Sequence, residues 1–121
     1  MADIAKRFHE RLLPATYEKD PEVHFGVSAP GGEPQDWTGF SERLVARLVN
    51  LGVAYELDHV SLIDIYDDTR FNTGQCEKLR DELAFLGGVI QDPALTDLVA
   101  TVHDLAGKVS STGSRLVISG N

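Results

Sequence analysis

Cysteine and long apolar runs are scarce in this sequence, and each scarcity excludes a class of protein. Cys76 is the only cysteine, so the chain cannot form an internal disulfide. No uninterrupted apolar run approaches the ~20 residues that a membrane-spanning helix needs. Residues 1–6 include the charged Asp3 and Lys6 and lack the charged-then-apolar pattern of a secretion signal. We therefore expect a reduced, cytoplasmic protein.

Basic residues are also few. The sequence has 11 Lys and Arg against 19 Asp and Glu, which gives a net charge of −8 at pH 7. Affinity for nucleic-acid phosphates and for anionic lipid surfaces comes from Lys and Arg, so we expect neither a nucleic-acid nor a membrane partner. The charge suits a basic protein partner, a divalent cation, or solubility alone.

The length of 121 residues and the 42% hydrophobic content predict one domain that spans residues 1–121. The first half of the chain begins with the pattern of an amphipathic helix. A strand pattern follows, in which Val23, Phe25 and Val27 alternate with other residues. The predicted elements are a helix at Ala2–Leu13 that ends before Pro14, a strand at Val23–Val27, a mobile loop at Ser28–Asp36, a helix at Trp37–Leu51 with Gly52 as its C-terminal cap, and a central strand at Val60–Tyr66.

The second half carries clearer boundary signals. Asn72 and Gln75 have the spacing of a capping box, and Asp92-Pro93 supplies a cap followed by a proline at the first helical position. The predicted elements are a helix at Thr73–Leu86 closed by Gly87-Gly88, a last helix from Pro93 to about Val109, a turn at Ser110–Gly113, and a terminal strand at Arg115–Ser119.

These elements predict an α+β fold in which about four helices pack on a small sheet of about three strands. Their predicted order is α-β-α-β-α-α-β, because the helices need a sheet face or each other to cover their apolar stripes. An exposed edge at Arg115–Ser119 could pair with a second copy of the chain.

Acidic side chains crowd between the predicted central strand and the capped helix, where α+β proteins often place ligand-binding groups. Three interpretations are open: turn capping with an Arg70 ion pair, an acidic patch that binds a partner, and a divalent-metal or acid–base site. The spacing matches neither a calcium loop nor an aspartyl-phosphatase motif. The candidate partner-binding residues are Glu56, Asp58, Asp64, Asp67, Asp68 and Arg70, together with Trp37, which either anchors a partner or is the first core residue of its helix.

Other catalytic candidates lack the required pattern. Cys76 lies on the apolar stripe of its predicted helix, which indicates a buried, unreactive thiol. No two of the four histidines have the helical i, i+4 spacing of a metal site. Gly31-Gly32 precedes Glu33, which would repel a phosphate. We therefore predict no catalytic residues, no metal ligands and no cofactor.

The stretch Tyr66-Asp67-Asp68-Thr69-Arg70-Phe71-Asn72 resembles a Tyr-x-Asp-Thr-x-Phe-Asn segment that precedes a helix in small uncharacterised bacterial proteins. Those proteins end in a short strand, as at Leu116–Asn121 here. The resemblance implies a bacterial, cytosolic origin and a structural role for the loop, and it implies no activity. In size and acidity alone, the chain also resembles the immunity proteins that neutralise secreted bacterial toxins.

The leading hypothesis is a non-enzymatic protein-binding domain, specifically an immunity-type inhibitor of a cationic bacterial toxin or effector. The rival from another class is a metal-dependent or acid–base enzyme that uses Asp64, Asp67 and Asp68 beside His59. A third hypothesis is a small-molecule regulatory domain whose pocket lies between the sheet and the Ser28–Asp36 loop.

Overall fold

The computed structural model describes residues 2–109 and 113–120. It is an α+β fold with four α-helices and one small antiparallel sheet, as the sequence predicts at this level. In chain order the elements are α1 (Ala2–Arg11), a first 3-10 turn (Pro14–Tyr17), β1 (Glu22–Ser28), β2 (Pro34–Ser41), α2 (Glu42–Ala54), a second 3-10 turn (Val60–Leu62), β3 (Thr69–Phe71), α3 (Thr73–Val89), α4 (Pro93–Gly107) and β4 (Arg115–Ser119). Across these described residues, no helix combines the length and the apolar character that crossing a bilayer requires.

The sheet has four strands in the order β2-β1-β4-β3, and all neighbouring pairs are antiparallel. Paired residues of antiparallel strands share a face, so the strands divide cleanly into two sets of side chains. One set joins the core beneath the helices and includes Phe25, Phe71, Leu116 and Ile118, all at most 1% exposed. The opposite face carries Gly26, Val117 and Arg70 in one row.

The predicted strand number and element order are wrong, because residues 34–41 form β2 and not the end of a loop and the start of a helix. Phe40 lies four residues before Leu44, and this spacing is the one expected for neighbours on the apolar stripe of a helix. In the fold, Phe40 packs edge-on against Phe25 of β1, with ring centroids 6.1 Å apart. The helix begins only after Ser41, and the loop between β1 and β2 is confined to residues 29–33.

The predicted central strand at Val60–Tyr66 is also wrong. Val60–Leu62 form a 3-10 turn, and the following residues reach β3 without joining the sheet. Val60 and Ile63 are nevertheless buried, which explains the strand-like composition. The backbone N–H of Val60 donates to the Glu82 carboxylate, at 2.9 Å, and not to a neighbouring strand.

Two predicted helix ends are wrong because the glycines that were expected to end these helices lie within them. Gly52 lies inside α2 and Gly87-Gly88 lie inside α3, so none of these glycines is a left-handed cap. After α2 the left-handed residue is Glu56, with φ 57°. The predicted edge at Arg115–Ser119 is wrong as well, because β4 pairs with β1 on one side and β3 on the other.

The predicted boundary signals of the second half are confirmed. The Asn72 side chain accepts from the Gln75 N–H at 2.9 Å, and the Gln75 side chain accepts from the Asn72 N–H at 2.9 Å. Asp92 caps α4 by accepting from the Ala94 N–H at 3.0 Å. The predicted turn at Ser110–Gly113 lies, apart from Gly113, outside the described residues.

Candidate functional site

We call residues 63–68, which connect the second 3-10 turn to β3, the acidic loop. Its carboxylates shape its own backbone. The Asp64 carboxylate accepts from the Tyr66 N–H at 2.8 Å, and the Asp67 carboxylate accepts from the Asp68 N–H at 2.8 Å. The Asp64 N–H donates to the Thr69 hydroxyl at 3.0 Å. Of these contacts, the one between Asp64 and Tyr66 is an Asx turn, and local hydrogen bonds from side chain to backbone hold a short loop in one conformation without a strand partner.

The predicted acidic residues are not neutralised by cations. Within residues 2–109 and 113–120, no ion pair involves the carboxylates of Glu56, Asp58, Asp64, Asp67 or Asp68. The predicted ion pair of Arg70 with one of these carboxylates is not formed among the described residues. By contrast, Asp20 and Asp92 each bind an arginine of α2. The carboxylates of the acidic loop are therefore exposed and form no ion pair within the part of the chain that the structure describes.

An apolar cleft adjoins these carboxylates. The cleft has a volume of about 390 Å³ and lies between α2 and residues 61–66. Val49, Leu62 and Ile65 contribute to its walls, and Asp64 and Tyr66 contribute at the loop. Leu62 is 57% exposed and Tyr66 is 71% exposed. Large apolar side chains thus stand in solvent beside unpaired carboxylates.

Glu56 and Asp58 lie apart from the acidic loop, on the connection between α2 and the second 3-10 turn. Both side chains are exposed, and the Asp58 carbonyl accepts from the Ser61 hydroxyl at 3.4 Å. No three His, Cys, Asp or Glu side chains of the described residues are grouped so that they could hold a metal ion. The geometry therefore gives the metal-site hypothesis no set of ligands.

Trp37 and Arg70 are exposed residues of the sheet, and neither belongs to its buried set. Arg70 pairs with Val117, which pairs in turn with Gly26. A Cβ atom at Gly26 would lie 2.9 Å from the Trp37 ring, so glycine is what permits the indole to approach this strand. Trp37 is 45% exposed and belongs to β2, so its predicted role as the first core residue of a helix is wrong. Its predicted role as a partner anchor stays a prediction.

His59 is engaged elsewhere in the structure. Its Nδ1 lies 2.8 Å from a Glu82 carboxylate oxygen, and the same carboxylate accepts from the backbone N–H groups of His59 and Val60. The imidazole also packs at a tilt against Phe71, with ring centroids 6.3 Å apart. Glu82 therefore fixes the start of the second 3-10 turn to α3. No local pattern predicts this contact, because it joins residues 23 positions apart.

Cys76 is buried at 1% exposure, and its thiol donates to the Phe71 carbonyl at 3.7 Å. Burial raises the pKa of this thiol from 9.0 to about 11. The predicted buried thiol is confirmed, and its neutral form is favoured well above physiological pH.

A second apolar depression lies away from the acidic loop, and we call it the helical groove. It has a volume of about 320 Å³ and is formed by α2, α3, α4 and the residues that join α3 to α4. Leu51, Leu83, Ile90 and Val99 are among its apolar walls, and His103 also lines it. The third hypothesis places a pocket between the sheet and the Ser28–Asp36 loop. The surface depression beside β2 instead lies against α4: Thr38 and Thr101 are among its lining residues, and none of the loop residues that the structure describes lines it.

Comparisons with protein-family models, with curated proteins and with solved structures give no match to this chain.

Proposed function

We propose that this chain is a non-enzymatic protein-binding domain that recognises a basic protein, and that it acts as an immunity-type inhibitor of a cationic toxin or effector. The observation that carries the proposal is the combination at the acidic loop. Leu62 and Tyr66, which stand mostly in solvent, line one cleft together with Asp64, and Asp67 and Asp68 follow Tyr66 in the same loop without an ion-pair partner among the described residues.

The two parts of this surface have different physical roles. Carboxylates opposite Lys and Arg accelerate association and orient the partner, because their field acts over several ångströms before contact. Aromatic side chains supply affinity once water is expelled, and tyrosine is enriched among the residues that dominate interface energies. Tyr66 is therefore the proposed anchor, and Asp64, Asp67 and Asp68 are the proposed steering charges.

We expect one specific variant to keep the shape of the acidic loop without its charge. Replacing Asp64, Asp67 and Asp68 by Asn retains the oxygen that accepts from the Tyr66 and Asp68 N–H groups. The variant removes three negative charges and leaves Leu62 and Tyr66 in place. It separates electrostatic recognition from loop folding.

A charge-matched control is available on other surfaces. Glu10, Glu18 and Glu33 are exposed and form no ion pair among the described residues, so replacing them by Gln also removes three negative charges. The control therefore changes the net charge equally but leaves the acidic loop intact.

The test is capture of partners from a lysate of the source organism by the tagged wild-type chain, the loop variant and the control, with washes at low and high salt. The proposal predicts one stoichiometric basic protein that wild-type and control retain and that the loop variant loses. The captured protein must also lose its activity when bound, which distinguishes an inhibitor from an adaptor. Equal retention by all three chains would contradict the assigned surface.

A further inference from the structure

Gly120 follows β4 and lies against the backbone of the acidic loop. A Cβ atom at this position would lie 2.5 Å from the backbone nitrogen of Asp67, 2.6 Å from the Asp67 carbonyl oxygen and 2.8 Å from the carbonyl carbon of Ile65. The φ of Gly120 is not positive, so its backbone conformation does not require glycine. Glycine is required because two backbone segments approach each other so closely.

The register of the sheet explains this approach. β3 and β4 pair antiparallel, and the pairing reaches Thr69 opposite Ile118. Extending the same register by two residues places Asp67 opposite Gly120. The acidic loop therefore runs along the end of β4 before the chain enters β3.

The contacts of Gly120 flank Tyr66 on both sides. The Ile65 carbonyl carbon belongs to the peptide unit before Tyr66, and the Asp67 nitrogen belongs to the peptide unit after it. The orientation of these two planar units determines the direction in which the Tyr66 side chain leaves the backbone. Gly120 therefore supports the part of the backbone that directs Tyr66, which is 71% exposed, into solvent.

Other contacts hold the same part of the loop. The Tyr66 N–H donates to the Asp64 carboxylate at 2.8 Å, and the Asp64 N–H donates to the Thr69 hydroxyl at 3.0 Å. Ile63 is buried at 4% exposure, and Ile65 packs against the core. Tyr66 thus lies between anchored neighbours before any partner binds.

A binding residue that is already held in its bound orientation loses less conformational entropy when a partner covers it. Among variants of one interface, such differences in affinity appear mainly in the dissociation rate. Steering by carboxylates acts before contact and governs the association rate. The position of Tyr66 and the charge of the loop should therefore have separate kinetic effects.

We propose that Gly120 is the positioning residue of the acidic loop. By admitting the backbone of residues 65–67 against the end of β4, it holds Tyr66 in the orientation in which this side chain anchors a basic protein. The inference rests on the proposed function and adds that the recognition surface is rigid in the free chain. Gly120 acts through Tyr66 and not by contact with the partner.

The first test uses the free chain and needs no partner. Nitrogen-15 relaxation of the wild type should give residues 64–68 order parameters of about 0.85, as expected for rigid backbone. Gly120→Ala should shift the amide resonances of residues 64–68 and lower their order parameters toward about 0.6. Gly88→Ala is the matched control, because a Cβ atom there would meet nothing within 4 Å, and it should leave the loop unchanged.

A flexible loop in the wild type, or a Gly120→Ala chain whose loop resonances match those of the wild type, would overturn the proposal. Circular dichroism confirms that each variant is folded. The wild-type relaxation measurement decides the rigidity of the loop even if Gly120→Ala does not fold.

The second test measures binding to the basic protein that the wild-type chain captures. Gly120→Ala keeps every charge, so the association rate constant and its salt dependence should stay near the wild-type values. The dissociation rate should rise roughly tenfold, because Tyr66 then has to be ordered on binding. In a Tyr66→Ala background, Gly120→Ala should have little further effect on dissociation.

A dissociation rate that Gly120→Ala leaves unchanged would overturn the proposal. So would an increase that is equally large with and without Tyr66, because a general weakening of the fold would produce that result. If the chain captures no basic protein, the proposed function fails and the anchoring role of Tyr66 fails with it. Relaxation of the free chain still decides whether Gly120 holds the loop.

Discussion

Two helical glycines provide a matched test of the packing. Gly52 in α2 and Gly88 in α3 were both expected near helix ends, yet both lie within helices and neither has a positive φ. A Cβ atom at Gly88 would meet nothing within 4 Å. A Cβ atom at Gly52 would lie 2.7 Å from Cγ1 of Val60 and 3.0 Å from the backbone nitrogen of Ser61.

Alanine should therefore change stability in opposite directions at the two sites. At Gly88 it gains helix propensity, about 0.5 kcal/mol so close to the end of α3. At Gly52 a gain of about 1 kcal/mol is opposed by overpacking of about 1–3 kcal/mol, and the nearby backbone atom places the cost at the upper end. We expect Gly52→Ala to destabilise the fold by about 1–2 kcal/mol.

Urea unfolding monitored by circular dichroism measures both changes as shifts of the midpoint at constant slope. Adding Val60→Ala to Gly52→Ala removes the nearest contact, so the double mutant should lose less stability than the sum of the two single mutants. Equal stabilisation at both sites would refute the close packing of α2 on the second 3-10 turn. Destabilisation at both sites would instead favour left-handed caps.

Three further predictions concern hydrogen bonding and ionisation. Glu82→Ala should lower the free energy of unfolding by about 3 kcal/mol in urea titrations, since the N–H groups of His59 and Val60 lose their acceptor. Glu82→Gln keeps one acceptor oxygen and should recover part of the lost free energy of unfolding. The raised pKa of Cys76 means that stability is lost as the pH rises from 9 toward 11, and Cys76→Ala should abolish that loss. Hydrogen bonds from Arg43 and Ser41 lower the pKa of Asp20. The ionised Asp20 therefore stabilises the fold above the usual pKa of a carboxylate, and this stabilisation disappears as the pH falls through the lower native pKa. Asp20→Asn should remove this acid-sensitive part of the free energy of unfolding.

Local signals in the sequence predicted local structure well. The Asn72–Gln75 capping box and the Asp92-Pro93 start were confirmed because each is determined by residues within one helical turn. The burial of Cys76 was predictable from its position on an apolar stripe. These features need no knowledge of distant contacts.

Three errors occurred where a distant contact decides the structure. Phe40 fits a helical stripe, but the pairing of β2 with β1 assigns it to a strand. Val60 belongs to an apolar, β-branched run, but the Glu82 carboxylate takes the backbone N–H that a strand partner would have used. Gly52 looks like a helix cap, but it is the point where Val60 approaches α2 most closely.

The predicted acidic residues of the candidate site lie on two separate connections, and the sequence did not predict this arrangement. Asp64, Asp67 and Asp68 share one loop, whereas Glu56 and Asp58 lie on a separate connection. Tyr66 was not among the predicted binding residues, although an aromatic side chain between Asp64 and Asp67 in the sequence could have indicated an exposed anchor. Its exposure follows from the irregular path of residues 63–68, which composition alone predicts as a strand.

The central claim is that the acidic loop steers a basic partner, and the association rate of the captured protein as a function of ionic strength tests it most directly. The wild-type rate constant should fall steeply as salt increases, and replacing Asp64, Asp67 and Asp68 by Asn should lower it roughly tenfold at low salt while the dissociation rate changes much less. The variant in which Glu10, Glu18 and Glu33 are replaced by Gln should associate nearly as fast as wild type. An association rate that is independent of salt, or equally slow in both variants, would contradict the claim.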